Sequence, residues 1–148
     1  MTEEDHNLRD DVGPLCVEAK SFPDGVMESF QELERMIPKE EGRALFGISY
    51  PGKDWRIVYR AAAKEAFNGE SRKLGAGSFT VPAGTYISVS TPDFMSDESR
   101  IGNAFRELLA DPRIDPQGCC VEMYVNGKDV RCMVRLDPQK ADEERKTV

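Results

Sequence analysis

Residues 45–60, LFGISYPGKDWRIVYR, and residues 120–135, CVEMYVNGKDVRCMVR, decide the fold of this chain. Each stretch places two runs of strand-forming residues around a Gly-Lys-Asp turn, which predicts a β-hairpin. The second stretch repeats the first 75 residues further on, so that position 45 corresponds to position 120. The identities pair Gly52 with Gly127, Lys53 with Lys128, Asp54 with Asp129, Arg56 with Arg131 and Arg60 with Arg135.

A predicted amphipathic helix precedes each hairpin. Asp24 is expected to cap the first helix and Pro38 to end it, and the second helix is predicted over residues 96–111. In both helices apolar residues recur at helical spacing and mark one face for burial. These residues are Val26, Phe30, Leu33 and Ile37 in the first helix, and Ile101, Ala104, Phe105 and Leu108 in the second.

The repeated pattern predicts an α+β fold built from a duplicated β-α-β-β unit, because neither copy can bury its helix alone. We expect two helices packed on antiparallel sheet, a pseudo-two-fold axis relating the copies and a pocket at their seam. The predicted domain covers residues 14–137, with repeat 1 at about 14–63, a linker at 64–77 and repeat 2 at about 78–137.

The two ends of the chain are predicted to be tails, over residues 1–13 and 138–148. The first tail carries five acidic residues against one arginine, and we expect it to be disordered. It accounts for much of the net charge of −7, which comes from 27 acidic and 20 basic side chains. The core of the sequence carries no basic stripe, so we expect no direct binding of nucleic acid.

The composition also argues against membrane insertion and metal chemistry. No apolar run reaches the roughly 18 residues of a membrane span, and the N-terminus lacks a signal-peptide core, so a cytoplasmic protein is expected. The four cysteines form no CxxC motif, and His6 is the single histidine. We therefore expect free thiols, no metal site and no cofactor.

The strand at residues 120–125 carries the chemistry that distinguishes the two copies. Strand alternation puts Glu122 and Tyr124 on one face, while Val121, Met123 and Val125 are predicted to pack against the helices. In the first copy the equivalent positions are the small residues Gly47 and Ser49. A carboxylate and a phenol opposite two small residues suit an asymmetric pocket. The alternative is an ordinary exposed strand face.

The segment Phe79–Tyr86, FTVPAGTY, resembles the "apolar-Pro-Ala-Gly-x-Tyr" signature of GyrI-like (gyrase-inhibitor-like) domains. These are also the effector-binding domains of several multidrug-sensing transcription activators. The strand Glu122-Met123-Tyr124 resembles the family's Glu-x-Tyr strand, and LFGISY at residues 45–50 resembles its "Leu-Tyr-Gly-Ile" strand. The resemblance covers about residues 14–137 and implies the same duplicated architecture.

The resemblance implies a set of ligand-binding residues. Glu122 matches the pocket carboxylate that binds cationic, lipophilic ligands, while Tyr86 and Tyr124 match the tyrosines of the two motifs. A partly buried carboxylate selects a cation, and aromatic faces add cation–π attraction. Trp55 and Tyr59 are expected as further aromatic walls, with a role in the core as the alternative.

The chain has no room for a helix-turn-helix domain, so it resembles the stand-alone members of the family, which lack a DNA-binding domain. Three function classes follow from that resemblance. The first is a protein that binds or sequesters small amphipathic, cationic molecules. The second is a hydrolase of strained cyclopropane-bearing toxins, with Glu122 as the catalytic acid or base. The third is a protein-interaction role resembling that of a DNA gyrase inhibitor. The sequence does not decide between enzyme and binder, nor the oligomeric state.

Overall fold

The computed structural model describes residues 3–8, 14–37, 44–54, 56–93, 97, 99–125 and 128–140. The chain forms two units: unit 1 comprises Met1–Asp10 and Pro82–Val148, and unit 2 comprises Asp11–Val81. In chain order the elements are β1 (Glu3–Leu8), β2 (Pro14–Glu18), α1 (Val26–Met36), β3 (Leu45–Pro51), β4 (Ile57–Lys64), α2 (Glu70–Leu74), β5 (Gly77–Ser78), β6 (Gly84–Thr91), α3 (Ser99–Leu109), β7 (Cys120–Val125) and β8 (Asp129–Arg135).

Unit 2 pairs its strands in the order β3-β4-β2-β5, all antiparallel. Helix α1 packs against β2 and β4, because the apolar stripe along the helix needs a sheet face to cover it. Leu33 lies at the centre of this contact and is fully buried. The residues buried around it are Leu15, Val17, Ala61 and Ala63.

Unit 1 repeats this topology in β6, α3, β7 and β8, and β1 takes the outer position that β5 has in unit 2. The strand order is β7-β8-β6-β1, with all pairs antiparallel. Helix α3 packs against β6 and β8, and its residues Ala104 and Leu108 are fully buried. The strand residues of this core are Ile87, Val89, Val130, Cys132, Val134 and Leu136. Each unit is therefore a β-α-β-β arrangement with one additional strand beside its first strand, which confirms the α+β class and the duplicated topology.

The additional strands correct two predictions about domain organisation. Strand β1 pairs with β6 over six residues, from Glu3 opposite Val89 to Leu8 opposite Gly84, so the prediction of a disordered tail is wrong for residues 3–8. The acidic side chains of Glu4 and Asp5 stay exposed, because an edge strand contributes its backbone and leaves its polar side chains in water. The predicted linker over 64–77 contains α2 and part of β5.

The predicted helix boundaries need smaller corrections. Helix α1 is preceded by Gly25 at the N-cap position, with no side-chain cap, so the prediction of Asp24 as the cap is wrong. A Cβ atom at Gly25 would lie 2.8 Å from the Ser21 carbonyl oxygen, which explains why glycine stands there. Pro38 lies outside the described residues. Of the predicted tail over 138–148, the structure describes residues 138–140, which are helical.

The two hairpins differ in the length of their turns. The last pair of the first hairpin is Pro51 with Ile57, so its turn is residues 52–56, whereas the last pair of the second is Val125 with Asp129, so its turn is residues 126–128. Tyr50, the equivalent of Val125, therefore pairs with Val58. The spacing of 75 residues therefore holds along β3 and β7 but becomes 71 along β4 and β8, where Arg60 corresponds to Arg131. The sequence alignment of Arg60 with Arg135 and of Arg56 with Arg131 is wrong, because a longer turn displaces the whole return strand.

Strand β1 should contribute measurably to stability. Its backbone pairs with β6, the Ser88 hydroxyl donates to the Glu4 carbonyl oxygen (3.0 Å), and the Thr85 hydroxyl donates to the Asn7 Oδ1 atom (2.8 Å). We expect deletion of residues 1–8 to lower the free energy of unfolding by about 1–3 kcal/mol, since each net hydrogen bond contributes about 1 kcal/mol and ordering the strand costs entropy.

Urea denaturation would measure this loss, with Asp5→Ala as the control that keeps the strand and removes one exposed side chain. A deletion variant as stable as the Asp5→Ala protein would contradict the pairing of β1 with β6.

Candidate ligand-binding site

Glu122 and Tyr124 lie on the face of β7 that carries α3. In the β7–β8 register Glu122 is opposite Cys132 and Tyr124 is opposite Val130, and both partners belong to the core beneath α3. The prediction that Val121, Met123 and Val125 face the helix is therefore wrong. The apolar alternation was misleading because both faces of the sheet are covered here: Val121 and its partner Met133 are fully buried on the opposite face.

The Glu122 carboxylate is largely buried and hydrogen-bonded. Glu122 is 8% exposed, and the Tyr124 hydroxyl donates a hydrogen bond to the Glu122 Oε1 atom at 2.5 Å. Burial of a carboxylate is costly unless hydrogen bonds or a positive charge compensate it. The Tyr124 hydroxyl supplies part of that compensation and orients the carboxylate.

The thiol of Cys132 reports on the same environment. Burial, followed by the negative charge of Glu122, raises the pKa of Cys132 to about 12. The Thr91 hydroxyl and the Cys132 sulfur lie 4.0 Å apart on the same face. Both side chains are buried, with Cys132 at 0% and Glu122 at 8% exposure, and a carboxylate shielded from water in this way would interact more strongly with a bound cation than an exposed one.

Partly buried apolar side chains complete the surroundings on this face. Tyr124 and Cys120 from β7, together with Ile101 and Phe105 from α3, pack against the same core and stay partly accessible. An aromatic and aliphatic surface beside a carboxylate can accept a ligand with an apolar body and a positive charge.

Gly47 and Tyr59 lie on the corresponding face of unit 2. Gly47 is opposite Ala61, as Glu122 is opposite Cys132, so the register confirms the predicted equivalence of Gly47 and Glu122. The ring of Tyr59 is buried. It stacks on the ring of Phe22, with 5.8 Å between centroids, and meets the ring of Phe30 edge-on, with 6.2 Å between centroids. The core alternative therefore describes Tyr59 better than a solvent-accessible ligand wall does.

Tyr86 does not join Glu122. In the β6–β8 register it is opposite Arg135, on the face that points away from α3. The ring is buried, and its hydroxyl donates to the Pro82 carbonyl oxygen at 2.6 Å. The resemblance implies Tyr86 as a wall of the Glu122 site, whereas the register puts the two side chains on opposite faces of the sheet. This tyrosine closes the bend of its own Pro-Ala-Gly motif.

Gly84 explains the shape of that bend. It adopts a φ of +144°, and a Cβ atom there would lie 2.9 Å from the Arg135 Nε atom. The Arg135 guanidinium donates to the Ala83 carbonyl oxygen (3.1 Å) and pairs with Asp115 (3.3 Å). Glycine is required at this position by both the backbone conformation and the close approach of the arginine.

The cysteines, the potential metal ligands and the helices bear on further predictions. The four cysteines are all free thiols. Within the described ranges, no group of three or more His, Cys, Asp or Glu side chains is arranged to hold a metal ion. In the same part of the chain, none of the helices combines the length and the apolar character needed to cross a bilayer. Trp55 lies outside the described residues, and its place in the site stays a prediction.

Comparisons with known proteins find similarity of structure only. No protein-family model matches the chain, and no curated protein matches its sequence. An integron cassette protein from the mobile metagenome of Vibrio cholerae, VCH_CASS2, superposes with a TM-score of 0.65 at 12% identity, covering 91% of this chain and 95% of that one.

Two other solved structures resemble the chain. SAV2435 bound to tetraphenylphosphonium has a TM-score of 0.63 at 8% identity and covers 97% of this chain and 99% of its own. A hydrolase from Listeria innocua has a TM-score of 0.57 at 10% identity, with 91% of each chain covered. At these identities the likeness shows that the chain shares their fold.

Proposed function

We propose that this chain binds small lipophilic cations through Glu122. The observation that carries the proposal is the largely buried carboxylate with the Tyr124 hydroxyl on its Oε1 atom. The charge of the ligand would be neutralised by Glu122, and its apolar body would contact the partly accessible side chains of Tyr124, Ile101 and Phe105. The similarity of fold to a protein solved with tetraphenylphosphonium supports this ligand class.

The hydrogen bond between the two side chains gives selectivity a physical basis. A carboxylate held in place by Tyr124 does not need to reorganise when a cation arrives, so its attraction for positive charge is preorganised. The phenol ring adds an aromatic face for the same charge. A neutral ligand would gain the apolar contacts only.

Isothermal titration calorimetry tests this proposal with two probes of related shape, the tetraphenylphosphonium cation and neutral triphenylphosphine oxide. We expect the cation to bind at least about tenfold more tightly, since a charge-assisted contact contributes about 1.5–3 kcal/mol. Equal affinities for the two probes, or binding of neither, would refute the proposal.

A second candidate is a hydrolase that opens strained rings. The favouring observation is again the Tyr124–Glu122 hydrogen bond, because it places a proton donor and a proton acceptor side by side. Glu122 would take a proton from water as the water oxygen forms a bond to a ring carbon. The strained carbon–carbon bond would break with its electron pair left on the departing carbon, and that carbon would receive the proton from Glu122. The similarity of fold to a Listeria innocua hydrolase is compatible with this chemistry.

Mass spectrometry separates the two candidates. Incubation with an electrophilic cyclopropane should yield a product heavier by one water if the chain is a hydrolase, and the unaltered compound if it only binds. The gyrase-inhibitor-like role stays a prediction, and it would survive the change Glu122→Gln.

A further inference from the structure

Arg60 in unit 2 and Arg131 in unit 1 occupy equivalent places in the two repeats. Arg60 is opposite Glu18 on β2 and Ile48 on β3, and Arg131 is opposite Ser90 on β6 and Met123 on β7. Both point to the sheet face away from their helix. The two guanidinium groups can therefore be compared atom by atom.

The guanidinium of Arg60 has a partner for each nitrogen. Its Nε donates to the Tyr50 hydroxyl at 3.0 Å, and its Nη1 donates to the Cys16 sulfur at 3.6 Å. Its Nη2 pairs with the Glu18 Oε1 atom at 3.4 Å. Unit 2 thus surrounds the group with a hydroxyl oxygen, a thiol and a carboxylate.

Arg131 keeps one of these partners and lacks the other two. Its Nη1 donates to the Ser88 hydroxyl at 3.3 Å, and Ser88 stands where unit 2 has Cys16. The places of Tyr50 and Glu18 are taken by Val125 and Ser90, which offer no aromatic hydroxyl and no carboxylate. Over the described residues, the Nε atom of Arg131 is buried without a hydrogen-bond partner.

The other residues around Arg131 do not replace the missing acceptors. The Ser88 hydroxyl donates its hydrogen to the Glu4 carbonyl oxygen, so towards Arg131 it acts as the acceptor. His6 lies on β1, where burial and then the positive charge of Arg131 lower its pKa. The other ionisable groups on this face are Glu4, Tyr86, Asp129 and Arg135, which come from β1, β6 and β8. Of these, the Asp129 Oδ1 atom accepts a hydrogen bond from the backbone amide of Asp93.

We propose that Arg131 binds the oxyanion of a small molecule, a carboxylate, phosphate or sulfate group, on the face of unit 1 that points away from α3. One oxygen of the anion would take the Nη2 donor, as Glu18 does for Arg60. A second oxygen would reach the buried Nε donor when the side chains that cover it move aside, in the fork geometry that suits arginine. This site is distinct from the Glu122 site, because it lies on the other face of the sheet and selects the opposite charge.

His6 is a convenient reporter, because it is the single histidine of the chain. An anion beside Arg131 offsets the positive charge that disfavours protonation of His6, so binding should raise the pKa of His6. By the same linkage, the anion should bind more tightly as the pH falls through the range in which His6 takes up its proton.

The experiment is a titration of the full-length protein with sodium sulfate, followed by the ring resonances of His6 in the NMR spectrum. Sodium acetate is titrated in parallel, with sodium chloride holding the ionic strength constant. We expect a saturable shift with sulfate, acetate or both; the tighter anion indicates whether the natural group is tetrahedral or planar. Arg131→Gln should weaken this binding about tenfold or more.

Two variants control for effects on folding and on bulk charge. Ser90→Glu changes an exposed residue and restores the carboxylate that unit 2 has at Glu18, so it should occupy Arg131 internally and abolish the saturable shift. Arg56→Gln removes an exposed arginine that pairs with Asp54 and should leave binding unchanged. A shift that does not saturate with either anion, or one that persists in Ser90→Glu and Arg131→Gln, would overturn the proposal.

Discussion

Replacing Glu122 by glutamine should weaken the binding of tetraphenylphosphonium about 10- to 150-fold, which corresponds to the 1.5–3 kcal/mol of a charge-assisted contact. Glutamine has nearly the same shape and keeps an oxygen that can accept the Tyr124 hydroxyl hydrogen, so the substitution removes the charge and little else. Neutral triphenylphosphine oxide should bind the variant and the parent protein about equally.

The control is Glu107→Gln, which removes the same charge from the exposed side of α3. This variant should bind the cation as the parent protein does, because an exposed charge is screened by solvent. Calorimetry on both ligands decides the matter. Equal losses for the cation and the neutral ligand, or an equal loss in the Glu107→Gln protein, would remove Glu122 from the site.

The second large effect is expected in the cores of the two units. Leu108→Ala should lower the free energy of unfolding by about 2–5 kcal/mol, the usual cost of removing a buried leucine side chain and leaving a cavity. Leu108 is 0% exposed beneath β6 and β8, and its repeat equivalent Leu33 is 0% exposed in unit 2, so Leu33→Ala should have an effect of the same size.

The next residue along α3 is a matched control. Leu109 is 51% exposed, and Leu109→Ala should change the stability by no more than about 0.5 kcal/mol. Urea denaturation gives the free energies, and hydrogen exchange at the amides of β6 and β8 shows whether the loss from Leu108→Ala falls in unit 1. A Leu108→Ala protein as stable as the Leu109→Ala protein would contradict the packing of α3.

The sequence by itself determined the elements and their duplication. Helices α1 and α3 follow from apolar spacing, and both hairpins follow from strand-forming runs around turn residues, which are local properties of the chain. The sequence also predicts the equivalence of Gly47 and Glu122, because the spacing of 75 residues holds from each helix through the strand that follows it. The choice of Glu122 and Tyr124 as neighbours on one strand face rests on alternation alone, and it is confirmed by their hydrogen bond.

The tertiary structure alone decided which face each residue occupies. Alternation gives two sets of side chains on β7 but does not say which set meets the helix, because Val121 and Cys132 are both buried on opposite faces. The same limit applies to Tyr86, whose motif predicts a bend but not the direction in which the ring points. The pairing of β1 with β6 joins residues about 80 positions apart (Glu4 with Ser88), which no local pattern encodes.

The register of the return strands was the other contribution of the tertiary structure. The sequence alignment makes Arg56 the equivalent of Arg131, whereas the strand register makes Arg60 its equivalent, because the hairpin of unit 2 is longer. Only with that register does the missing carboxylate become visible, because Ser90 then stands where unit 2 has Glu18. Residue types and their spacing along the chain determine which elements form, while the partners of a charged group depend on turn length and strand pairing, which are settled only when the whole sheet assembles.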